Sequence, residues 1–215
     1  MPQSKSQIQS LLTSANSHPR HRFGQNFMID QNLVRIVVDA GDIVPGDRVI
    51  EIGPGTGTLT EELLSRGAEV IAVEIDRDLA KLLRERFANE PRLTLIEDDA
   101  LAGKHELSPA LLRAIDQHSP TDQNGDKNGV VSRFYRDDQF KLVANLPYNI
   151  ASPLVVELLR YGVELLAFTV QKEVADRLRA APGSEAYGPL SVVVQTLADV
   201  EVLRECNRAY QEAVH

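Results

Sequence analysis

The chain has 215 residues, of which 43% are hydrophobic and 25% charged, ordinary globular usage that excludes a disordered, collagenous or coiled-coil protein. Its 23 Lys and Arg stand against 31 Asp and Glu, a net charge of −8 that argues against indiscriminate polyanion binding but permits a local basic patch. The single Cys206 allows no internal disulfide or Cys-based metal cluster, and no apolar run approaches the roughly 18 residues of a membrane span; the expectation is a monomeric cytoplasmic protein with no metal site and no membrane partner.

Residues 1–22 are polar, rich in Ser and Gln and free of acid, so they read as a flexible basic arm. They lack the apolar stretch of a secretory signal, and an organellar transit peptide is the alternative that their Ser and Arg suggest. Through residue 35, Lys5, Arg20, Arg22 and Arg35 face only Asp30, a local charge of +3. An arm that meets nucleic acid has this asymmetry.

From residue 48 strands and helices alternate. Arg48–Gly53 reads as a strand, Thr58–Arg66 as a helix, Glu69–Asp76 as a second strand and Arg77–Phe87 as an amphipathic helix with Asp76 as its N-cap. Leu93–Glu97 and Lys141–Asn145 read as the third and fourth strands. A helix over Pro153–Tyr161 follows, with Pro153 in its first turn, then a fifth strand over Leu165–Val170 and a helix over Glu173–Ala180. Strands joined by helical crossovers imply a parallel sheet with helices on both faces, a doubly wound α/β domain. Residues 116–139, dominated by Asp, Asn, Gln, Ser and Gly, interrupt that rhythm and read as a mobile surface loop.

Glu51-Ile52-Gly53-Pro54-Gly55-Thr56-Gly57 closes the first strand and opens a helix, the place where open α/β sheets bind ligands. A dinucleotide fingerprint needs glycine where Thr58 stands, and a phosphate-binding loop needs a following Gly-Lys-Ser/Thr. The E-x-G-x-G-x-G spacing instead fits an S-adenosylmethionine (SAM) site, with Gly53 and Gly55 lining it. Glu74, 21 residues beyond Gly53, stands at the separation where an acid meets a ribose diol. Asp99, or its neighbour Asp98, can accept from an adenine amine after the third strand.

Asn145-Leu146-Pro147-Tyr148 ends the fourth strand. An exocyclic amine gives its lone pair to the ring and is a poor nucleophile, so it needs acceptors that draw its N–H bonds. The Asn145 side-chain oxygen and the Leu146 carbonyl can do this, Pro147 fixes the backbone between them, and Tyr148 offers a face on which a flipped-out base stacks. Such chemistry rests on alignment and electrostatic placement rather than on a general base.

Together with these motifs, Arg22-Phe23-Gly24-Gln25-Asn26-Phe27, Asn149-Ile150, Gln171-Lys172-Glu173 and Tyr187-Gly188-Pro189-Leu190-Ser191 resemble the small-subunit ribosomal RNA adenine dimethyltransferases over roughly residues 20–206. The resemblance implies a Rossmann-like methyltransferase domain over 23–206 and SAM-dependent dimethylation of N6 of two adjacent adenines near the 3′ end of that RNA, on an immature small ribosomal subunit. It implies donor contacts from Asn26, Met28, Gly53, Glu74, Asp99 and Asn145, and makes Arg22 and Lys172 RNA-binding residues. Met28 stands where the family usually has leucine. The macrolide-resistance type of large-subunit adenine methyltransferase shares most of these motifs and is the enzyme alternative. A catalytically weak RNA-binding assembly factor is the alternative of another class. Family members continue into a seventh strand and a helical domain; here Val200–Cys206 is expected as a sixth strand before a short tail over 207–215, so the sheet is expected to lack its last strand.

Overall fold

The structure, a computed structural model, describes residues 10, 30–103, 105–117 and 140–205. The rest of the basic arm, most of the 116–139 insertion, the tail, and Arg22, Asn26 and Met28 lie outside those residues.

The first described helix, α1 (Gln31–Ala40), starts where the Asp30 carboxylate accepts from the Asn32 amide, which satisfies an otherwise orphaned first-turn donor. β1 (Arg48–Ile52), α2 (Thr58–Ser65), β2 (Glu69–Val73), α3 (Arg77–Arg86) and β3 (Leu93–Ile96) follow in strict alternation. Asp76 caps α3, its carboxylate accepting from the Asp78 and Leu79 amides. Next come α4 (Pro109–Gln117), β4 (Phe140–Asn145), α5 (Ala151–Tyr161), β5 (Leu165–Thr169), α6 (Lys172–Leu178) and α7 (Pro189–Leu197).

All five strands are parallel, in the order β3-β2-β1-β4-β5. Alternate side chains of each strand point to opposite faces, and two apolar layers form accordingly. Val49, Val70, Ala72 and Val143 pack with Leu33, Val34, Val37 and Val38 of α1 and Leu59, Leu63 and Leu64 of α2. Ile50, Ile52, Ile71, Val73, Leu142 and Ala144 pack with α4, α5 and the inner sides of α6 and α7. Leu63 and Leu111 are fully buried, one on each face; removing a leucine side chain from water contributes about 1.5–3 kcal/mol. The doubly wound α/β reading of the sequence is therefore the observed architecture.

Two expectations change. Val200–Glu205, expected to begin a sixth strand, forms no strand, and Cys206 lies outside the described residues. A strand exists by virtue of its ladder; no strand among the described residues lies along the outer edge of β5 to bridge this segment to the sheet. Three helices were also not anticipated, α1, α4 and α7, and the last of these is opened by Pro189 at its first position. Among the described residues no helix is long and apolar enough to cross a membrane.

Candidate active site

β1 lies between β2 and β4, so the chain leaves β1 in one direction and β4 in the other. That reversal opens a crevice at the carboxyl ends of the two strands. The glycine loop stands on one side of it and Asn145–Tyr148 on the other.

The glycine loop is held open by backbone conformation. Gly53, Gly55 and Gly57 have φ of 70°, 60° and 80°, a region that costs an L side chain roughly 1–2 kcal/mol. At Gly57 a Cβ would also stand 2.7 Å from Phe87 and 2.8 Å from Leu83, so α2 can begin there only with glycine. At Gly53 a Cβ would meet Pro147 at 3.2 Å. The two motifs, nearly a hundred residues apart in the chain, therefore lie side by side. Arg86 ties the loop to α3: its guanidinium donates to the Thr56 carbonyl and to the Glu61 carboxylate, and lies 4.9 Å from the Phe87 ring centroid.

Two buried carboxyls lie beneath the loop. Glu74, 3% exposed, accepts from the Gly55 amide at 3.1 Å through one oxygen and from the Asp76 amide at 2.9 Å through the other. A carboxylate has about four acceptor positions, so a diol can still be bound alongside these amides. Burial outweighs those hydrogen bonds and pushes the Glu74 carboxyl up to about 7. Glu51, 1% exposed, accepts from the Thr60 hydroxyl at 2.7 Å. Burial raises it to about 8, and the nearby Glu74 charge adds to the rise. At Glu74 itself the neighbouring charge that adds to the rise is Asp76.

Asp99 is half-buried beyond β3, with one oxygen accepting from the Leu101 amide at 3.0 Å, while the exposed Asp98 accepts from the Asp99 amide at 2.9 Å. Thr58, at the start of α2, is buried, and its hydroxyl has no hydrogen-bond partner among the described residues. A cradle of left-handed glycines, an acid below it and an orphaned hydroxyl at the helix start together fit a small polar ligand such as SAM.

On the facing strand, the Pro147 carbonyl accepts from the Ile150 and Ala151 amides and so turns the chain into α5. The Leu146 amide donates to the Thr169 carbonyl at 3.2 Å, and the Asn145 side-chain oxygen accepts from the Thr169 hydroxyl. Thr169 thus grips this strand end twice, a role that sequence reading missed because the partners are 24 residues apart and meet only through the β4–β5 register. Glu51 was likewise read only as part of the loop motif, although it forms a buried pair with Thr60. Tyr148 is half-buried beside this turn. Lys172 is not part of the crevice: it begins α6 exposed, and its ammonium pairs with Glu205 at 2.9 Å and Asp176 at 3.5 Å. Those partners, Glu205 foremost, raise its pKa. No group of three or more potential metal ligands occurs among the described residues.

A family model described as ribosomal RNA adenine dimethylase matches residues 16–213. The chain belongs to that family. Within it, a ribosomal RNA small subunit methyltransferase A of Thermosynechococcus vestitus is 43% identical over 189 residues, 85% of this chain and 60% of the relative. A probable member of the same name in Methanopyrus kandleri is 37% identical over 186 residues, 86% of this chain and 56% of the relative. The chain thus spans about 60% of the length of the curated relatives it matches. Among solved structures, a dimethyladenosine transferase from Plasmodium falciparum gives a TM-score of 0.55 at 27% identity, covering 77% of this chain and 50% of that one. The 23S rRNA methyltransferase ErmE gives 0.51 at 26% identity, covering 71% and 50%.

Proposed function

We propose that this chain carries the catalytic domain, over 23–206, of a SAM-dependent enzyme that dimethylates N6 of two adjacent adenines near the 3′ end of small-subunit ribosomal RNA during ribosome maturation in the cytoplasm, as a monomer. The observation that carries this reading is the close approach of Pro147 to Gly53, near enough that a Cβ on Gly53 would stand 3.2 Å from it. It brings a donor cradle and an amine-holding strand end to one crevice. When bound, SAM supplies an electrophilic methyl group on a sulfonium; in each transfer the amine nitrogen gains the methyl, the sulfonium becomes a thioether and one N–H proton leaves to solvent.

The residues divide the work. Gly53 and Gly55 admit the donor to the backbone, Glu74 receives its ribose hydroxyls and Asp99 its adenine amine, with Asn26, Met28 and Asn145 completing the pocket. The Asn145 side-chain oxygen and the Leu146 carbonyl, which carries no hydrogen bond among the described residues, accept from the target amine and draw electron density to its nitrogen. Tyr148 stacks on the extruded base, whose removal from the RNA costs a few kcal/mol. Arg22 and Lys172 meet RNA phosphates, Lys172 by exchanging its Glu205 partner for one.

The names of the relatives favour the small subunit as target. Transfer of labelled methyl groups from SAM to undermethylated small and large subunits, with nucleoside mass spectrometry of the products, tests this. N6,N6-dimethyladenosine in small-subunit RNA alone is the expected result. Product confined to large subunits, or RNA binding without turnover, would replace this reading with one of the alternatives.

A further inference from the structure

Asn145 and Thr169 are register partners at the ends of β4 and β5. Thr169 is half-buried there and its two polar groups act on successive residues of the acceptor motif: the hydroxyl donates to the Asn145 carboxamide oxygen, and the carbonyl accepts from the Leu146 amide. The same motif comes close to the glycine loop at Pro147, where a Cβ added to Gly53 would stand 3.2 Å away. The Thr169 hydroxyl therefore acts on the Asn145 carboxamide at its rotatable end, while the Thr169 carbonyl holds the backbone of the next residue.

From this geometry, and resting on the methyltransferase reading above, we infer that Thr169 is a positioning residue, whose hydroxyl fixes the Asn145 carboxamide so that its oxygen faces the target amine. A carboxamide turned by half a revolution presents an NH2 group of almost the same shape, which repels an amine instead of accepting from it. A donor placed against the oxygen favours the productive turn. The carboxamide oxygen accepts two hydrogen bonds, so the hydroxyl and a substrate N–H are compatible on it. The backbone bond through the Thr169 carbonyl survives any side-chain change, so Thr169→Val removes the hydroxyl at constant shape and leaves the strand pairing intact.

The hold matters more in the second transfer than in the first. Adenine offers two N–H bonds, one for each acceptor, whereas N6-methyladenine retains one and depends on a single acceptor. Loss of the hydroxyl then shows as a shift in product composition as well as in rate.

The test compares the full chain with Thr169→Val and Thr169→Ser. In Thr169→Val, single-turnover methyl transfer is expected to fall by about 10-fold, within the range for disturbed alignment. SAM affinity is expected to change less than 2-fold, and N6-methyladenosine to accumulate at the expense of the dimethyl product. Thr169→Ser, which keeps the hydroxyl, restores rate and product ratio to within about 3-fold. A Thr169→Val protein with wild-type rate and product ratio, or a Thr169→Ser protein as impaired as Thr169→Val, overturns the inference and leaves the methyltransferase reading standing. If the wild type itself transfers no methyl group, that reading fails, and the hold on Asn145 is decided by NMR of its side-chain NH2 pair, assigned through Asn145→Ser. Displaced, exchange-broadened signals in Thr169→Val but not in Thr169→Ser support the hold, and signals unchanged in Thr169→Val overturn it.

Discussion

The two flanks of the crevice are built differently. On the donor side, four of five residues in β1 and in β2 are fully buried, Arg86 ties the glycine loop to α3, and Glu74 ties it to the end of β2. On the acceptor side, β5 is buried only at Ala167 and half-buried elsewhere, and α7 exposes Val192, Val193 and Leu197. The glycine loop is cross-braced by groups within some 36 residues of one another in the chain. The acceptor motif depends on a neighbouring strand at the edge of the sheet. Cofactor binding and base binding should accordingly be separable by mutation.

The strongest test of that separation is Asn145→Ala. Loss of a group aimed at the reacting amine should lower kcat by on the order of 10²–10³-fold, while equilibrium dialysis shows SAM affinity within a few-fold of wild type. A parallel loss of both would mean that the two flanks are one unit. Next in size, Gly57→Ala attacks the braced side. A positive φ and a Cβ overlapping Phe87 and Leu83 should together cost about 3 kcal/mol, read as a lower denaturation midpoint in urea. A neutral result would show the loop to be as yielding as the acceptor side.

Glu51→Gln comes third and depends on pH. The Glu51 and Glu74 carboxyls hold their protons up to about 8 and about 7 in the folded chain, against an ordinary value of 4.5. Between pH 4.5 and 8 the folded state therefore binds more protons than the unfolded one, and stability falls as pH rises through that window. Glutamine keeps an acceptor for Thr60 without the buried charge. It should raise stability at pH 8.5 by about 2 kcal/mol, some 4–8 °C in Tm, and change little at pH 5. A gain of equal size at both pH values would remove the charge explanation. Smallest of all is Val192→Thr on the open face of α7, expected within about 0.5 kcal/mol in the same thermal scans. A large loss there would show that face to be better covered than its 47% exposure implies.

What could be read before the structure follows the same division. The five parallel strands, the Asp76 cap and the glycine loop were visible because each is written in consecutive residues: an apolar β-branched run, an acid before a helix, glycines at fixed spacing. α7 was not, since the Val192-Val193-Val194 run hides helical period behind residues that favour strands. Val200–Glu205 looks like a strand for the same reason, yet no paired edge exists for it among the described residues. In the site, Glu74 accepts from the Gly55 amide and Pro147 lies beside Gly53, neighbours that their separate motifs do not spell out. Thr169 and the Glu51–Thr60 pair do not announce themselves, because a register between strands and a hydrogen bond across a loop leave no local pattern. Lys172 was read for its motif, and its pairing with Glu205 could not be seen without the chain folded.

The close approach of Pro147 to Gly53 has a thermodynamic corollary. On the proposed reading these residues lie between donor and base, so a shift of either on filling one side alters the other. By linkage the effect is reciprocal: whatever factor a bound donor adds to affinity for the base, a bound base must add to affinity for the donor. Titrating each ligand in the presence and absence of the other would therefore give one and the same coupling constant.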